Sequence, residues 1–165
     1  MKDIVLIAHN LRSIHNVGSL LRTAEGLGVS EVYLTGYTPH HAVPNDDRLP
    51  HEIIKIEKQL RKTALDAEQT ITWHHAKDVA TVITDLKKRG YVVAAVEQTD
   101  TSIDITSYSV PDKIALLVGR EAEGVEPEIL RLMDIHLEIP MFGSKESFNV
   151  VQAAAMALYH CRFHQ

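Results

Sequence analysis

The feature that most constrains this chain is an alternation of two patterns. Short runs of β-branched and aliphatic residues, DIVLIA (3–8), EVYLTG (31–36), YVVAAVEQ (91–98) and KIALLVG (113–119), with IHLEIP (135–140) a shorter one, alternate with stretches of helical periodicity. The helical stretches fall near 17–27, 55–66, 78–89, 126–132 and 147–162. Continuous apolar runs of this length suit strands buried on both faces. Strands that alternate with helices predict a parallel sheet flanked by helices, so the expected fold class is α/β. A chain of 165 residues with 45% hydrophobic content suits a single domain, 1–165, that buries a proper core. Between the second strand and the second helix, GYTPHHAVPNDDRLPHE (36–52) holds three prolines and little periodicity and reads as a long loop.

Composition excludes several classes. The longest apolar runs, such as IALLV at 114–118, fall far short of the roughly 20 residues that span a bilayer. Cys161 is the only cysteine, so no intramolecular disulfide forms, and no signal peptide is legible at the start. A cytoplasmic protein is expected. The net charge of −5 argues against a surface that grips nucleic acid all over. Two local basic clusters stand out, Lys55, Lys58, Arg61 and Lys62 in one segment and Lys87, Lys88 and Arg89 in another. Each also reads as a solvated helix face or a helix end favourable to the dipole. Among ten histidines, His40–His41 and His74–His75 are adjacent and diverge, and His160 and His164 flank Cys161 with no fourth ligand in view, so no metal is expected. The phosphate-binding patterns G-x-G-x-x-G and G-K-[ST] are absent, which counts against a nucleotide-binding small-molecule enzyme.

In open α/β sheets, ligands bind beyond the carboxyl ends of the strands. Here the strand exits run into HNLRSIHNVGSLLR, EQTDTS, REAEGVEPE and MFGSKESFNV, all rich in glycine, small polar or charged residues. Within NVGSLLRTAEGLGV (16–29), Val17, Leu21, Ala24 and Gly28 fall on an inward helical face. Arg22 shares a neighbouring strip with Asn16 and Ser19, which is either solvated surface or a working site. In SKESFNVVQAAAMAL, Ser147 is placed to cap a helix, and Asn149 falls in its first turn, where a hydrogen-bonding role suits asparagine better than helix propensity does. Glu123 and Glu126 read as surface acids at the start of the next helix.

Three segments, NVGSLLRTAEGLGV (16–29), LLVGREAEGV (116–125) and IPMFGSKESFNVVQAAAMALYH (139–160), resemble in order and spacing the three motifs of the SpoU, or TrmH, branch of the SPOUT RNA methyltransferases. The resemblance covers the chain from near 10 to near 160. It implies a SPOUT fold with a C-terminal trefoil knot, a homodimer, and methyl transfer from S-adenosylmethionine to a ribose 2′-hydroxyl, in tRNA first and rRNA next. By the same resemblance, Arg22 and Asn16 face the ribose, and Glu121, Ser147 and Asn149 contribute to the active site. Gly119, Ile139, Met141, Ser147 and Phe148 contact the cofactor, with Val96, Glu97 and Gln98 at the preceding strand exit. A guanidinium is a poor proton acceptor, so Arg22 is expected to orient the nucleophile and stabilise charge rather than act as a base. The chain departs from the common N-V-S pattern with N-V-V-Q, which leaves Val151 outside the site. A non-catalytic RNA-binding protein on the same fold is the alternative; both Arg22 and Asn149, whose loss would favour it, are present.

Overall fold

A computed structural model describes residues 1–164. The order is β1 (Asp3–His9), α1 (Ile14–Gly26), β2 (Glu31–Thr35), α2 (Pro50–Ala64), α3 (Ala67–Thr70), β3 (Trp73–Ala76), α4 (Val79–Lys88) and β4 (Val92–Val96). Then follow β5 (Ile103–Asp104), β6 (Lys113–Val118), α5 (Pro127–Leu130), β7 (Ile135–Glu138) and α6 (Val150–Phe163). The seven strands form one sheet in the order β3-β2-β1-β6-β4-β7-β5, and every pair is parallel. The expected α/β class, a parallel sheet flanked by helices, is therefore the observed one.

Strand side chains alternate between two cores, as a period of two requires. On one face Ile4, Leu6, Ile114 and Leu116 pack with Leu20 and Leu21 of α1, Leu60 of α2, and Ala154, Ala157 and Leu158 of α6. On the other, Val5, Ile7, Ala115 and Leu117 pack with Val82, Ile83 and Leu86 of α4. Cys161 is buried in the first core, where burial pushes its thiol up to about 11 and leaves it a small apolar group.

The differences from expectation have local causes. β3 (WHHA) and β5 are edge strands of four and two residues without an aliphatic run, so they carry no strong strand pattern. Helix α1 starts at Ile14, not near 17, because the Ser13 hydroxyl accepts the Asn16 N–H at 3.2 Å. It ends at Gly26, so Gly28 is not on its buried face. Gly28 lies beyond the end at φ +65°, where Gly28 N–H bonds Glu25 C=O and Val29 N–H bonds Ala24 C=O, closing the helix with a left-handed residue. Helix α2 starts at Pro50, five residues earlier than expected, with proline in the first turn and the Glu52 carboxylate accepting the Leu49 N–H. The proline-rich loop ends there.

Helices α1 and α2 cross at Gly18. A Cβ on Gly18 would stand 2.2 Å from Thr63 Oγ1 and 2.6 Å from the Leu60 carbonyl, so only glycine admits this approach. The Thr63 hydroxyl also donates to the His15 carbonyl at 3.0 Å, fixing the end of α2 on α1. Among the described residues, no helix is long and apolar enough to cross a membrane, and no group of three or more His, Cys, Asp or Glu side chains is arranged to hold a metal ion.

Candidate active site

The exits of β4, β6 and β7 converge on the start of α6 around a cavity of about 280 Å³, near the low end of small-molecule sites. Val96, Glu97, Gly119, Ile139, Met141, Ser147 and Phe148, the residues expected to contact a cofactor, all line it, and so do Gln98 and Glu121. The sequence reading did not single out Arg120, Glu138 and Glu146, which also line it.

The loop from Gly119 to Glu126 is held by its own chain. A Cβ on Gly119 would stand 2.7 Å from Val125 Cγ2 and 2.9 Å from the Gly124 carbonyl carbon, so this glycine is required by the loop folding back on itself. Gly124 sits at φ +69°, and a Cβ there would meet Glu97 Oε2 at 2.4 Å. That same oxygen accepts the Val125 N–H at 3.0 Å. Glu97 lines the cavity, but one of its carboxylate oxygens is engaged in pinning this loop. Arg120 Nε donates to the Gly124 carbonyl at 3.2 Å and lies 3.6 Å from Glu126 Oε1.

Glu121 is engaged in the same way. Its carboxylate accepts from the Ser13 N–H (3.1 Å), the Arg12 N–H (3.3 Å) and the Asn16 amide (3.2 Å), all at the start of α1, where partial positive charge favours an anion. Burial pushes this carboxyl up, but its own backbone N–H and these donors outweigh burial and hold it below the usual glutamate range. Glu121 is therefore a fixed anion that joins the second motif to the first through Asn16.

Glu126 stands at the start of α5, as expected, but its side chain is turned into contacts rather than left at the surface. Its Oε1 accepts from Asn10 Nδ2 at 2.9 Å, and its Oε2, which is buried, faces His9 Nε2 at 3.5 Å. Burial lowers the His9 imidazole below its usual value, against the pull of Glu126, while Nδ1 lies 2.9 Å from Thr35 Oγ1. The Glu-Pro pair in the sequence signals the start of α5 but says nothing of a partner 116 residues away. Glu123 is exposed, as expected, and pairs with Arg12 at 3.1 Å.

The third segment corrects a second expectation. Helix α6 begins at Val150, not at 147, and its cap is Asn149, whose side chain accepts the Val151 N–H at 2.9 Å. Ser147 does not cap it; this serine is exposed in the loop that rims the cavity. The extended backbone of Asn149 (φ −56°, ψ 142°) decides between the two candidate caps. Phe142 and Lys145 on the same loop are exposed, Phe142 at 98%.

Arg22 is exposed on α1 and does not line the cavity of its own chain. With Ser19, Thr23, Gly26, Leu27 and Thr63 it borders a separate depression between α1 and the last turn of α2. The structure thus brings Asn16 to Glu121 and leaves Arg22 apart from both.

The sequence profile described as the SpoU rRNA Methylase family matches residues 3–159. The chain belongs to this family. Among SpoU relatives, the tRNA (guanosine(18)-2′-O)-methyltransferase of Escherichia coli K12 is 28% identical over 163 residues, covering 97% of this chain and 63% of that protein. The 23S rRNA (guanosine-2′-O-)-methyltransferase of Neisseria meningitidis is 29% identical over 161 residues, covering 96% of this chain and 58% of the relative. The chain therefore spans about three fifths of the length of these two SpoU proteins. The crystal structure of the SpoU methyltransferase AviRb from Streptomyces viridochromogenes in complex with AdoMet shares the fold, with a TM-score of 0.79 at 20% identity over 97% of this chain and 56% of that one.

Proposed function

We propose that this SpoU-family chain transfers the methyl group of S-adenosylmethionine to a ribose 2′-hydroxyl in RNA, with tRNA as substrate. One observation carries the reading: seven residues from three distant segments, chosen for cofactor contact, line a single cavity at the strand exits. The lining suits the ligand. Val96, Ile139, Met141 and Phe148 offer apolar walls for an adenine ring, and Glu121, Glu138 and Glu146 give an acidic character that suits the sulfonium and ammonium groups. The E. coli relative named for tRNA favours that substrate; rRNA is the second reading, favoured by the N. meningitidis relative.

When bound, S-adenosylmethionine supplies a methyl group on a sulfonium, an excellent leaving group. What remains for the protein is to hold the 2′-oxygen within about 3–3.5 Å of the methyl carbon and to let the hydroxyl proton pass to a base or water as the C–O bond forms and the C–S bond breaks. Glu121 holds Asn16 at the site, and Arg22 forks onto the 2′-oxygen or a neighbouring phosphate and stabilises the charge that develops there. Because Arg22 stands apart from the cavity of its own chain, a second copy supplies it, in the homodimer that the family resemblance implies. The exposed stripe of Met156, Tyr159 and Phe163 on α6 supports self-association. The same reading includes a single SPOUT domain, a trefoil knot in its C-terminal part and a cytoplasmic location.

Methyl incorporation into total tRNA and rRNA, followed by nucleoside mass spectrometry, tests the proposal; a 2′-O-methylnucleoside in tRNA is expected. Arg22→Ala is expected to lose about 10²–10³-fold in turnover with S-adenosylmethionine binding unchanged by calorimetry. Substantial methylation by that variant removes Arg22 from the mechanism. Absence of S-adenosylmethionine binding to the unaltered protein removes the whole reading.

A further inference from the structure

Helix α2 carries Lys55, Lys58, Arg61 and Lys62 on an exposed face, in a chain whose net charge is −5. The two acids of the helix have their hydrogen-bond partners elsewhere and make no ion pair with these cations. Glu52 accepts the Leu49 N–H at 3.2 Å, and Glu57 accepts the Ala42 N–H at 3.2 Å and lies 3.6 Å from His41 Nδ1. Both acids are engaged with the proline-rich loop. Lys55, Lys58 and Lys62 make no ion pair among the described residues, while Arg61 reaches only the buried Glu68, at 3.9 Å. Lys58, Arg61 and Lys62 border one shallow groove together with Ile54 and Glu57, so cations outnumber the acid there by three to one. The spacing places the lysines along about 10 Å of helix axis.

The position of this stripe is set by the fold. The contacts of Gly18 with Leu60 and Thr63 fix the last turn of α2 against α1, and Thr63 borders the same depression as Arg22. Lys62, at the end of the stripe, is thus the sequence neighbour of Thr63, which borders the depression that holds Arg22. The second basic cluster, Lys87, Lys88 and Arg89, ends α4 and covers the opposite face of the sheet. There Lys87 is paired with Asp134 at 2.7 Å, Lys88 with Asp85 at 3.8 Å, and Arg89 with Glu31. One cluster is neutralised locally and the other is not.

We propose that the α2 face is the docking track for the sugar–phosphate backbone of the substrate RNA flanking the nucleotide that Arg22 engages, with Lys55, Lys58 and Lys62 each meeting a phosphate. This rests on the RNA-methyltransferase reading. An unpaired cation stripe on an acidic protein is complementary to a polyanion, and it confines attraction to the surface next to the proposed target position.

The test compares two variants of the full chain with equal charge loss, Lys55→Gln/Lys58→Gln/Lys62→Gln on α2 and Lys87→Gln/Lys88→Gln/Lys113→Gln on the other side. Binding of unfractionated tRNA is measured against salt concentration, and methyl incorporation into the same tRNA in parallel. Each phosphate contact contributes a slope of about 0.7 for single strands, so the α2 variant is expected to bind about 100-fold more weakly at 0.1 M salt than the unaltered protein and to have a salt slope about 2 smaller. The second variant is expected to match the unaltered protein. Equal loss in both variants, or loss in neither, overturns the docking track even where methylation is seen. Selective loss of tRNA binding in the α2 variant without methylation by the unaltered protein upholds the track as an RNA-binding surface and overturns tRNA as the methylated substrate. Failure of the unaltered protein to bind tRNA overturns the docking track and tRNA as the substrate.

Discussion

Two loops face each other across the candidate cavity, and they are built in opposite ways. The loop from Gly119 to Glu126 is tied down by its own chain: Glu121 bonds the start of α1, Val125 bonds Glu97, Glu126 bonds Asn10, and Arg120 bonds Gly124 within the loop. In the loop from Met141 to Phe148, the middle residues 142–147 are exposed, and no hydrogen bond among the described residues fixes their side chains. The first wall is assembled by folding alone. The second is left without such ties, and the contrast assigns preorganisation to one side of the cavity and an unfixed polar surface to the other.

The contrast can be broken most strongly with glycine. Gly119→Ala forces a Cβ into the Gly124–Val125 backbone and is expected to cost about 1–3 kcal/mol in urea unfolding. Gly143→Ala, where nothing lies within 4 Å, is expected to stay within about 0.5 kcal/mol. Comparable costs at the two positions would end the distinction.

A smaller effect is expected from Glu121→Ala, which strands the N–H groups of Arg12 and Ser13 at a cost of about 1–2 kcal/mol. Its acid behaviour has a definite sign. The carboxyl is held below its ordinary value of 4.5, so its contribution is complete above about pH 4.5 and is lost as pH falls through the lower folded value. Urea unfolding at pH 7, 5 and 3.5 is expected to show the loss mainly in the last interval, and Glu121→Gln is expected to reduce it by the share of Glu121, with Asp3, Glu31 and Glu126, also held low, keeping theirs. The smallest change expected in stability is that of Ser147→Ala, within about 0.5 kcal/mol, yet S-adenosylmethionine affinity is expected to fall about fivefold, as a lost hydrogen bond of about 1 kcal/mol would give. A stability cost without an affinity cost would make the Met141–Phe148 loop as self-contained as its neighbour.

What was legible in the sequence follows the range of the interactions concerned. β1, β4 and β6 were readable because burial on both faces writes itself as an unbroken apolar run. β3 was not, because its register against β2 is set by the sheet, and its His75 ring stacks on His40 from a loop 35 residues away, at 3.8 Å between centroids. Most residues lining the cavity were legible through the second and third motifs and the exit of β4, whereas Arg120, Glu138 and Glu146 carried no separate signal. The roles of Glu97 and Glu126 were not, since a carboxylate looks the same in sequence whether it meets water or a backbone N–H brought by a distant loop. Ser147 and Asn149 are both good caps two positions apart, and only the backbone path into α6 separates them. The exposure of Arg22 was readable from helical spacing, whereas its place beside Thr63 depends on how α1 and α2 cross.

The place of β6 between β1 and β4 also governs how the chain comes into being. β1 pairs on one side with β2, close behind it in sequence, and on the other with β6, where Asp3 meets Lys113, 110 residues later. At a synthesis rate of about 5–20 residues per second, the second edge of β1 waits on the order of 5–20 s for its partner. No hairpin shortens the wait, because every strand pair is parallel. The strand that ends in the middle of the sheet spends the nascent stage as an open edge, a template for misplaced pairing until Lys113–Val118 emerges to close it.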